Sequence, residues 1–347
     1  MNKFDKKFNT ERRTNVRKAF GDKDALLIYA PKNLYYLCGI DGFGAAGLLT
    51  SENFTLFLNE NDYEIYKESP DNEICARIYK KGIIGNTIKE TVRKGKISEI
   101  FVDKADEKAL INLKNTIGMN IKTTDAVEKA RMTKGEEEIK KIKKACEIAR
   151  KGIEMAMKIY LSEKRISEHN LAAEIEYFMK MQGSEGTFEE GILLACGKNA
   201  AHIHAKPSDK IVVDAMLVDL GAKFNGYFSD LSRTFTERAD NEVRQLAEFI
   251  RNLERQCVDK IYAGMKFSEI SVFAEKEINK KGFKFFHLLG HGVGLDVHEM
   301  PFITNNSKED FAENMVFTIE PGIYRANKFG IRFEDTCVIK NGKARIL

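Results

Sequence analysis

The sequence lacks any continuous apolar stretch of about 18 residues, so nothing in it reads as a membrane span. Its N-terminus lacks the apolar core of a secretion signal. Cys-x-x-Cys pairs are missing too. The six cysteines (Cys38, Cys75, Cys146, Cys196, Cys257, Cys337) are scattered too widely for a thiolate metal site or a disulfide framework. Buried free thiols in a reducing compartment are therefore expected, and a cytoplasmic location with them. A strong charge of one sign is also absent. The formal net charge is +4 over 347 residues, which gives no warrant for a nucleic-acid partner, since that would call for a dense basic stripe. No internal repeat or low-complexity segment is present.

What is there suits a globular protein. With 43% apolar and 31% charged residues over this length, the chain can build two domains without staples. The first twenty residues are locally basic (Lys3, Lys6, Lys7, Arg12, Arg13, Arg17, Lys18). They read as a solvated amphipathic helix with Phe4, Phe8 and Phe20 as apolar contacts, in preference to a tail for phosphate or anionic lipid.

The N-terminal third alternates strand-like runs with helical ones. Residues 25–30 (ALLIYA), 45–50 (AAGLLT), 54–58 (FTLFL) and 97–102 (ISEIFV) predict strands, and a helix begins over 33–37. That alternation indicates an α/β domain. From Lys134 a long charged helix is expected, with Ile139, Ile142, Cys146, Ala149 and Ile153 lining one face at steps of three and four. A second helix should start at a Ser167 N-cap, bury Leu171, Ile175, Phe178 and Met179, and stop at Gly183. Asn241 is the expected cap of a third, carrying Val243, Leu246, Ile250, Leu253 and Cys257; a fourth runs from Ser268 to about Lys281 and ends at Gly282. Strand pairs lie between and after these helices. The expected organisation is an α/β domain over 1–126 and an α+β domain over 127–347.

The chemistry concentrates in three pieces of the second domain. In residues 216–235, two alternating apolar runs flank Asn225-Gly226, the strongest short hairpin signal because a type I′ turn needs positive φ at both central residues. With that turn, Phe224 faces Tyr227 and Asp219 lies opposite Ser232. Asp230 is two residues from Ser232, so both aspartates project from one face of the hairpin. Their neighbours (Val218, Leu220, Phe228, Leu231) are apolar, which favours a metal pair over an exposed acidic face. Residues 287–299 (HLLGHGVGLDVHE) follow, with three glycines (Gly290, Gly292, Gly294) and three histidines (His287, His291, His298). A phosphate loop would need a Gly-Lys-Ser/Thr end, which is lacking; core histidines and functional ones remain equally open here. In residues 316–338, a hairpin centred on Asn327 would make Glu320 and Glu334 cross-strand neighbours. A solvated acidic pair is the alternative. If buried, the two need a cation. Four carboxylates and one imidazole suit two divalent metals such as manganese, cobalt, iron or zinc, without the thiolates of structural zinc. Such a pair allows a bridging hydroxide at neutral pH.

These motifs resemble the pita-bread metallopeptidases of the prolidase and aminopeptidase P type. The likeness is carried by Arg131–Lys134 with Glu136, the HAKPSD segment with His204, DLG…SDLSRT, GHGVGLDVHE, TIEPGIY and IRFED, in that order. The resemblance implies a pita-bread (creatinase/aminopeptidase-like) catalytic domain behind a creatinase-like N-terminal domain. It implies that Asp219, Asp230, His291, Glu320 and Glu334 hold two metals, with Asp230 and Glu334 bridging. It makes His204 and His298 substrate-contacting histidines, Glu320 also the proton carrier, His287 a product-side or supporting histidine, and Arg332 a support to the metal-bound carboxylates. His169 and His202 match no motif.

The N-terminal NLYYLCGIDG stretch is similar to the family's, and argues against methionine aminopeptidase. LNENDY (58–63) departs from the D-x-R-Y of some members, so no substrate contact is carried over there. The implied reaction is hydrolysis of Xaa-Pro bonds, where proline offers no amide hydrogen to hold. A dipeptidase (prolidase) acting on short proline-containing peptides is the preferred expectation, an Xaa-Pro aminopeptidase the alternative, with a homodimer as the family's habit. Some prolidases carry an arginine at the place of Phe302; Arg325 and Arg332 remain candidates for a substrate carboxylate. A non-catalytic binding module and a metal-free hydrolase of the creatinase kind would each have lost ligands that this chain keeps.

Overall fold

The computed structural model describes residues 3–40, 46–79, 84–103, 107–162 and 164–347, without the side chains of residues 3–8, 107 and 109. The chain divides into two compact units, Met1–Arg131 and Met132–Leu347. Among the described residues no helix is long and apolar enough to cross a membrane.

In the first unit the apolar runs pair into one mixed sheet. Its strands are β1 (Asp24–Ile28), β2 (Ala46–Leu49), β3 (Phe54–Leu58), β4 (Ile74–Ile78), β5 (Glu99–Val102) and β6 (Ile121–Thr123), in the order β4-β3-β2-β1-β5-β6. The β1–β2 and β2–β3 pairs are antiparallel and the rest parallel. Around them run α1 (Lys3–Arg17), α2 (Pro31–Cys38), α3 (Glu60–Glu68), α4 (Ile84–Lys94) and α5 (Glu107–Ile117), followed by α6 (Ala126–Met132). The four expected strands are present. β4 (ICARI) and β6 (IKT) were not legible, because each buries only one of its residues. Parts of some expectations, namely Ala45 and Asp41-Gly42 of the NLYYLCGIDG stretch, lie outside the described residues, as do the side chains of Phe4 and Phe8.

The basic first helix is not simply solvated. Arg12 and Arg13 are buried, and their guanidinium groups donate to Tyr36 O at 2.9 Å and Leu37 O at 3.0 Å. Those carbonyls are at the C-terminal end of α2, where no intrahelical donor is left and a cation is favoured. Phe20 lies beyond the helix, with its ring 5.0 Å from that of Phe101. Asn59 of LNENDY serves as N-cap of α3, accepting from Asp62 N–H at 2.9 Å.

The second unit is built from two helix-on-sheet halves. In the first, α7 (Glu136–Leu161) and α8 (Glu168–Met181) pack on the antiparallel sheet of β7 (Leu193–Cys196), β8 (Met216–Leu220) and β11 (Leu231–Phe235). The short strands β9 (Lys223–Phe224) and β10 (Tyr227–Phe228) extend the β8–β11 hairpin. In the second, α9 (Asn241–Lys260) and α10 (Phe267–Lys280) pack on a sheet ordered β13-β12-β14-β17-β18. Its strands are β12 (Gly290–Gly292), β13 (Glu299–Ile303), β14 (Val316–Ile319), β17 (Asp335–Lys340) and β18 (Lys343–Ile346), with the β15 (Gly322–Arg325) and β16 (Phe329–Arg332) pair between β14 and β17. This is the expected α+β layout.

The expected apolar face of α7 (Ile139, Ile142, Cys146, Ala149, Ile153) is buried throughout. Ser167 caps α8, accepting from Asn170 N–H at 3.2 Å. The cap of α9 is Asp240, not Asn241: its carboxylate accepts from Val243 N–H at 2.9 Å, and Asn241 is the first helical residue. Adjacent Asp and Asn are both good caps, so composition could not choose between them. Among the thiols, Cys75 is exposed and the other five are buried.

Candidate metal centre

Two hairpins carry most of the candidate ligands. In the first, Asn225 (φ 47°) and Gly226 (φ 82°) form the turn, and Phe224 pairs with Tyr227 and Asp219 with Ser232. Both central φ angles are positive, as a type I′ turn requires. Asp230 sits in the break between β10 and β11, where its N–H donates to Thr336 Oγ1 at 3.0 Å. In the second hairpin, Asn327 (φ 60°) centres the loop, Gly322 pairs with Arg332, and Ile319 pairs with Asp335. Glu320 and Glu334 lie opposite each other between those two pairs, as expected.

The third piece is the glycine-rich run. β12 lies between β13 and β14, and a Cβ on Gly290 would stand 1.9 Å from Thr318 O. The glycines therefore let strands come together, which brings His291 against the hairpins; His291 N–H donates to Thr318 Oγ1 at 3.1 Å. A bulge between His291 and Gly292 shifts the register toward β13. Beyond it Glu299 is buried and pairs with Lys134 Nζ at 2.9 Å, which ties the turn bearing His298 to the start of the unit.

The side chains converge. Ligand atoms of Asp219, Asp230 and Glu334 all lie within 4.8 Å of one another, and so do those of His291, Glu320 and Glu334 and those of Asp230, His291 and His298. Asp230, His291 and Glu334 are buried. Asp219 Oδ1, Asp230 Oδ1 and Glu334 Oε1 are inaccessible and have no hydrogen-bond partner among the described residues. A buried carboxylate oxygen without a donor is expensive unless a cation meets it. His291 Nδ1 donates to Gly292 O at 3.1 Å, which leaves the Nε2 lone pair facing Asp230 Oδ2 at 3.6 Å and Glu320 Oε1 at 3.5 Å. These gaps are too long for hydrogen bonds, and match two ligand atoms on a shared ion with bonds of about 2.1 Å. The donor set fits divalent cations.

The charges agree. Burial first, then Glu334, raises the Asp230 carboxyl well above its ordinary value; burial and then Asp219 push Glu334 up to about 8. Burial, then Glu334, raises Glu320 as well. Burial and the neighbouring His298 lower His291 to about 3, so its ring is the neutral form a metal needs.

Around this cage, Arg332 donates from Nε to Ser232 Oγ at 2.9 Å and from Nη1 to Tyr324 Oη at 2.9 Å, and Nη2 pairs with Asp219 Oδ2. Tyr324 Oη in turn lies 3.2 Å from His287 Nε2, and His287 Nδ1 lies 2.8 Å from Leu288 O. Burial first, then Arg332, lowers His287 to about 4. The chain of donors runs from Arg332 through Tyr324 to a neutral His287. His298 and His204 are exposed; the His298 ring sits 4.2 Å from that of His291. His169 and His202 are exposed. Arg325 pairs with Glu242 at 2.7 Å, and Phe302 is 45% exposed. Sequence reasoning missed the roles of Tyr324, Ser232, Thr318 and Thr336, although all four stand in or beside motifs it had singled out. Nothing about a lone hydroxyl signals which carboxylate it will meet.

Fold and site together are those of a metallopeptidase, and the chain belongs to metallopeptidase family M24, whose model matches residues 140–341. Residues 12–145 match the creatinase/prolidase N-terminal domain. The chain is 35% identical over 336 residues to the Xaa-Pro dipeptidase of Pyrococcus furiosus, covering 93% of each. Its fold superposes on the prolidase from Pyrococcus horikoshii with a TM-score of 0.87 at 31% identity, covering 97% of each chain. The X-Pro aminopeptidase from Thermotoga maritima gives 0.84 at 30% identity, over 96% of this chain and 97% of that one.

Proposed function

We propose that this chain hydrolyses the Xaa-Pro bond of dipeptides. Asp219, Asp230, His291, Glu320 and Glu334 would hold two divalent ions, manganese or cobalt first, with iron and zinc as alternatives. The observation that carries this reading is the convergence of Asp219, Asp230 and Glu334, whose ligand atoms lie within 4.8 Å of one another and each of which has one buried oxygen with no partner among the described residues. The Xaa-Pro dipeptidase and prolidase among the relatives supply the substrate class. The same reading takes residues 1–126 as the N-terminal domain and 127–347 as the catalytic domain, in a cytoplasmic homodimer acting on short proline-containing peptides.

Bound ions would supply Lewis acidity, activating water and polarising the scissile carbonyl. The rest falls to the side chains. Glu320 takes the proton of the attacking water on a carboxylate oxygen and delivers it to the proline nitrogen. His298 and His204 donate toward the oxygen that gains charge. Arg332 holds Asp219 in place, and with Tyr324 keeps His287 neutral and oriented.

The test is one assay series with manganese or cobalt: Ala-Pro, an Xaa-Pro-containing tripeptide, and proline-free controls. Cleavage of Ala-Pro above the tripeptide is expected. Cleavage of the tripeptide alone would favour the Xaa-Pro aminopeptidase reading, which the Thermotoga maritima likeness supports. Full turnover of controls, or none with any metal, would refute both.

A further inference from the structure

The segment between β7 and β8 carries His204, and both of its ends are gathered on one carboxylate. Glu168, the first residue of α8, is 0% exposed. Its Oε1 accepts from Cys196 N–H at 2.7 Å. Its Oε2 accepts from Asn199 Nδ2 at 2.7 Å, Ser208 N–H at 2.9 Å and Ser208 Oγ at 2.6 Å. Cys196 ends β7, Asn199 lies in the 3-10 turn Gly197–Ala201 before His204, and Ser208 comes after it. Asn199 Nδ2 also reaches Lys206 O at 3.2 Å, bracing the segment across His204.

The exchange runs the other way as well. Glu168 N–H donates to Lys210 O and His169 N–H to Ser208 O, each at 2.9 Å. These N–H groups belong to the first turn of α8, which has no carbonyls of its own to offer them. The opposite side of the segment rests on β16. A Cβ on Gly330 would stand 1.8 Å from Ala200 O, and Arg332 Nη1 donates to Ile203 O at 3.4 Å. His204 itself is exposed, and its neighbour Ile203 offers the carbonyl that Arg332 bonds.

A fully buried carboxylate is tolerated only when its lone pairs are filled by good donors, and charge-assisted bonds of this kind are strong and directional. All four of these donors to Glu168 come from the segment that bears His204. We infer that Glu168 is a positioning residue for the peptidase reaction: by pinning both ends of residues 196–208 it holds His204 over the site. The inference rests on the reading of His204 as a substrate-contacting histidine. An anchor of this sort matters because a displacement of about 1 Å in a catalytic group lowers turnover by about a hundredfold.

The experiment compares the full-length, metal-loaded protein with Glu168→Gln, His204→Ala and the double variant, using Ala-Pro turnover and bound metal per chain. Gln keeps the shape but turns an amide toward donors. Glu168→Gln is expected to lower kcat by about ten- to a hundredfold with bound metal unchanged, and to change turnover by less than about twofold once His204 is Ala. Equal losses in both backgrounds would mean that Glu168 only stabilises the fold, and would overturn the inference. Should His204→Ala be impaired while Glu168→Gln is not, the inference alone fails. Should His204→Ala keep full turnover, the reading of His204 fails first and Glu168 with it. If Glu168→Gln does not fold, Asn199→Ala combined with Ser208→Ala removes two of the four donors and leaves the carboxylate in place. That pair should lower kcat by about tenfold, again only while His204 is present; a loss that persists without His204 overturns the proposal.

Discussion

Ser232 and Glu334 clip together the two hairpins that carry the candidate ligands. Ser232 Oγ donates to Glu334 Oε2 at 2.7 Å, and the two residues exchange backbone bonds at 3.1 and 3.3 Å. Ser232 stands opposite Asp219 on one hairpin, and Glu334 stands opposite Glu320 on the other. This isolated bridge, together with the Asp230–Thr336 hydrogen bonds, holds the aspartate pair against the glutamate pair. With Oε2 occupied by the serine, Glu334 Oε1 is buried and has no hydrogen-bond partner among the described residues.

That geometry makes Glu334 and Asp230 hard to replace. Asp230→Ala or Glu334→Ala should cut Ala-Pro turnover by at least about a thousandfold and lower the metal bound per chain. Turnover together with elemental analysis of the dialysed protein checks both. Chelation of the unaltered protein should abolish activity, and manganese should restore it. Full activity after either treatment would contradict a two-metal site.

Arg332 makes directional bonds to Ser232, Tyr324 and Asp219 from three different nitrogens. Lysine carries the charge without the fork. Arg332→Lys should weaken metal binding about tenfold to a hundredfold, and kcat should fall with it. Metal titration followed by calorimetry reads the first effect. An affinity unchanged within about twofold would place Arg332 outside the support of Asp219.

Lys134 and Glu299 form a pair with side-chain exposures of only 1% and 7%. Removing one partner strands the other in the interior. Lys134→Met should destabilise the protein by about 3–5 kcal/mol, and Lys134→Met with Glu299→Met by clearly less. Denaturant unfolding of the metal-free protein measures both. Additive losses would show that the two groups do not depend on each other.

Glu254, on α9, is buried, and its Oε1 has no hydrogen-bond partner among the described residues. Burial first, then the charge of Asp335, pushes it up from 4.5 to about 8. Below its ordinary value the carboxyl is protonated in both folded and unfolded states. Between that value and about 8 the folded state alone keeps the proton, so stability is lost as pH rises through this window. Glu254→Gln, neutral at every pH, should therefore gain on the unaltered protein between pH ~4 and pH ~8, by ~2 kcal/mol or more. Thermal melts of both metal-free proteins at the two pH values test it; a difference independent of pH would be the wrong result.

Much of the site was legible because turn chemistry and strand period are local. Asn225-Gly226 permits one turn type, and the period of two then places Asp219 opposite Ser232. The same logic, centred on Asn327, placed Glu320 opposite Glu334 through a longer loop. The four long helices of the second unit were readable from their apolar faces and caps, apart from the choice between Asp240 and Asn241 at α9, whereas α3 to α6 were not read from the sequence. What escaped was non-local. β4 and β6 gain their strand character only from the neighbours they pair with, and the buried roles of Arg12, Arg13 and Glu168 depend on carbonyls and donors far along the chain.

The amino-acid sequence alone determined which residues could share a strand face, which turns could close, and which side chains could ligate a cation, since each follows from a few consecutive residues. Only the tertiary structure decided that the three pieces meet. The packing of β12 against β14, allowed by the missing side chain at Gly290, and the Ser232–Glu334 bridge bring an imidazole and carboxylates from three separate segments within reach of one another. Contacts between segments a hundred residues apart depend on how whole sheets pack, and no local pattern encodes that.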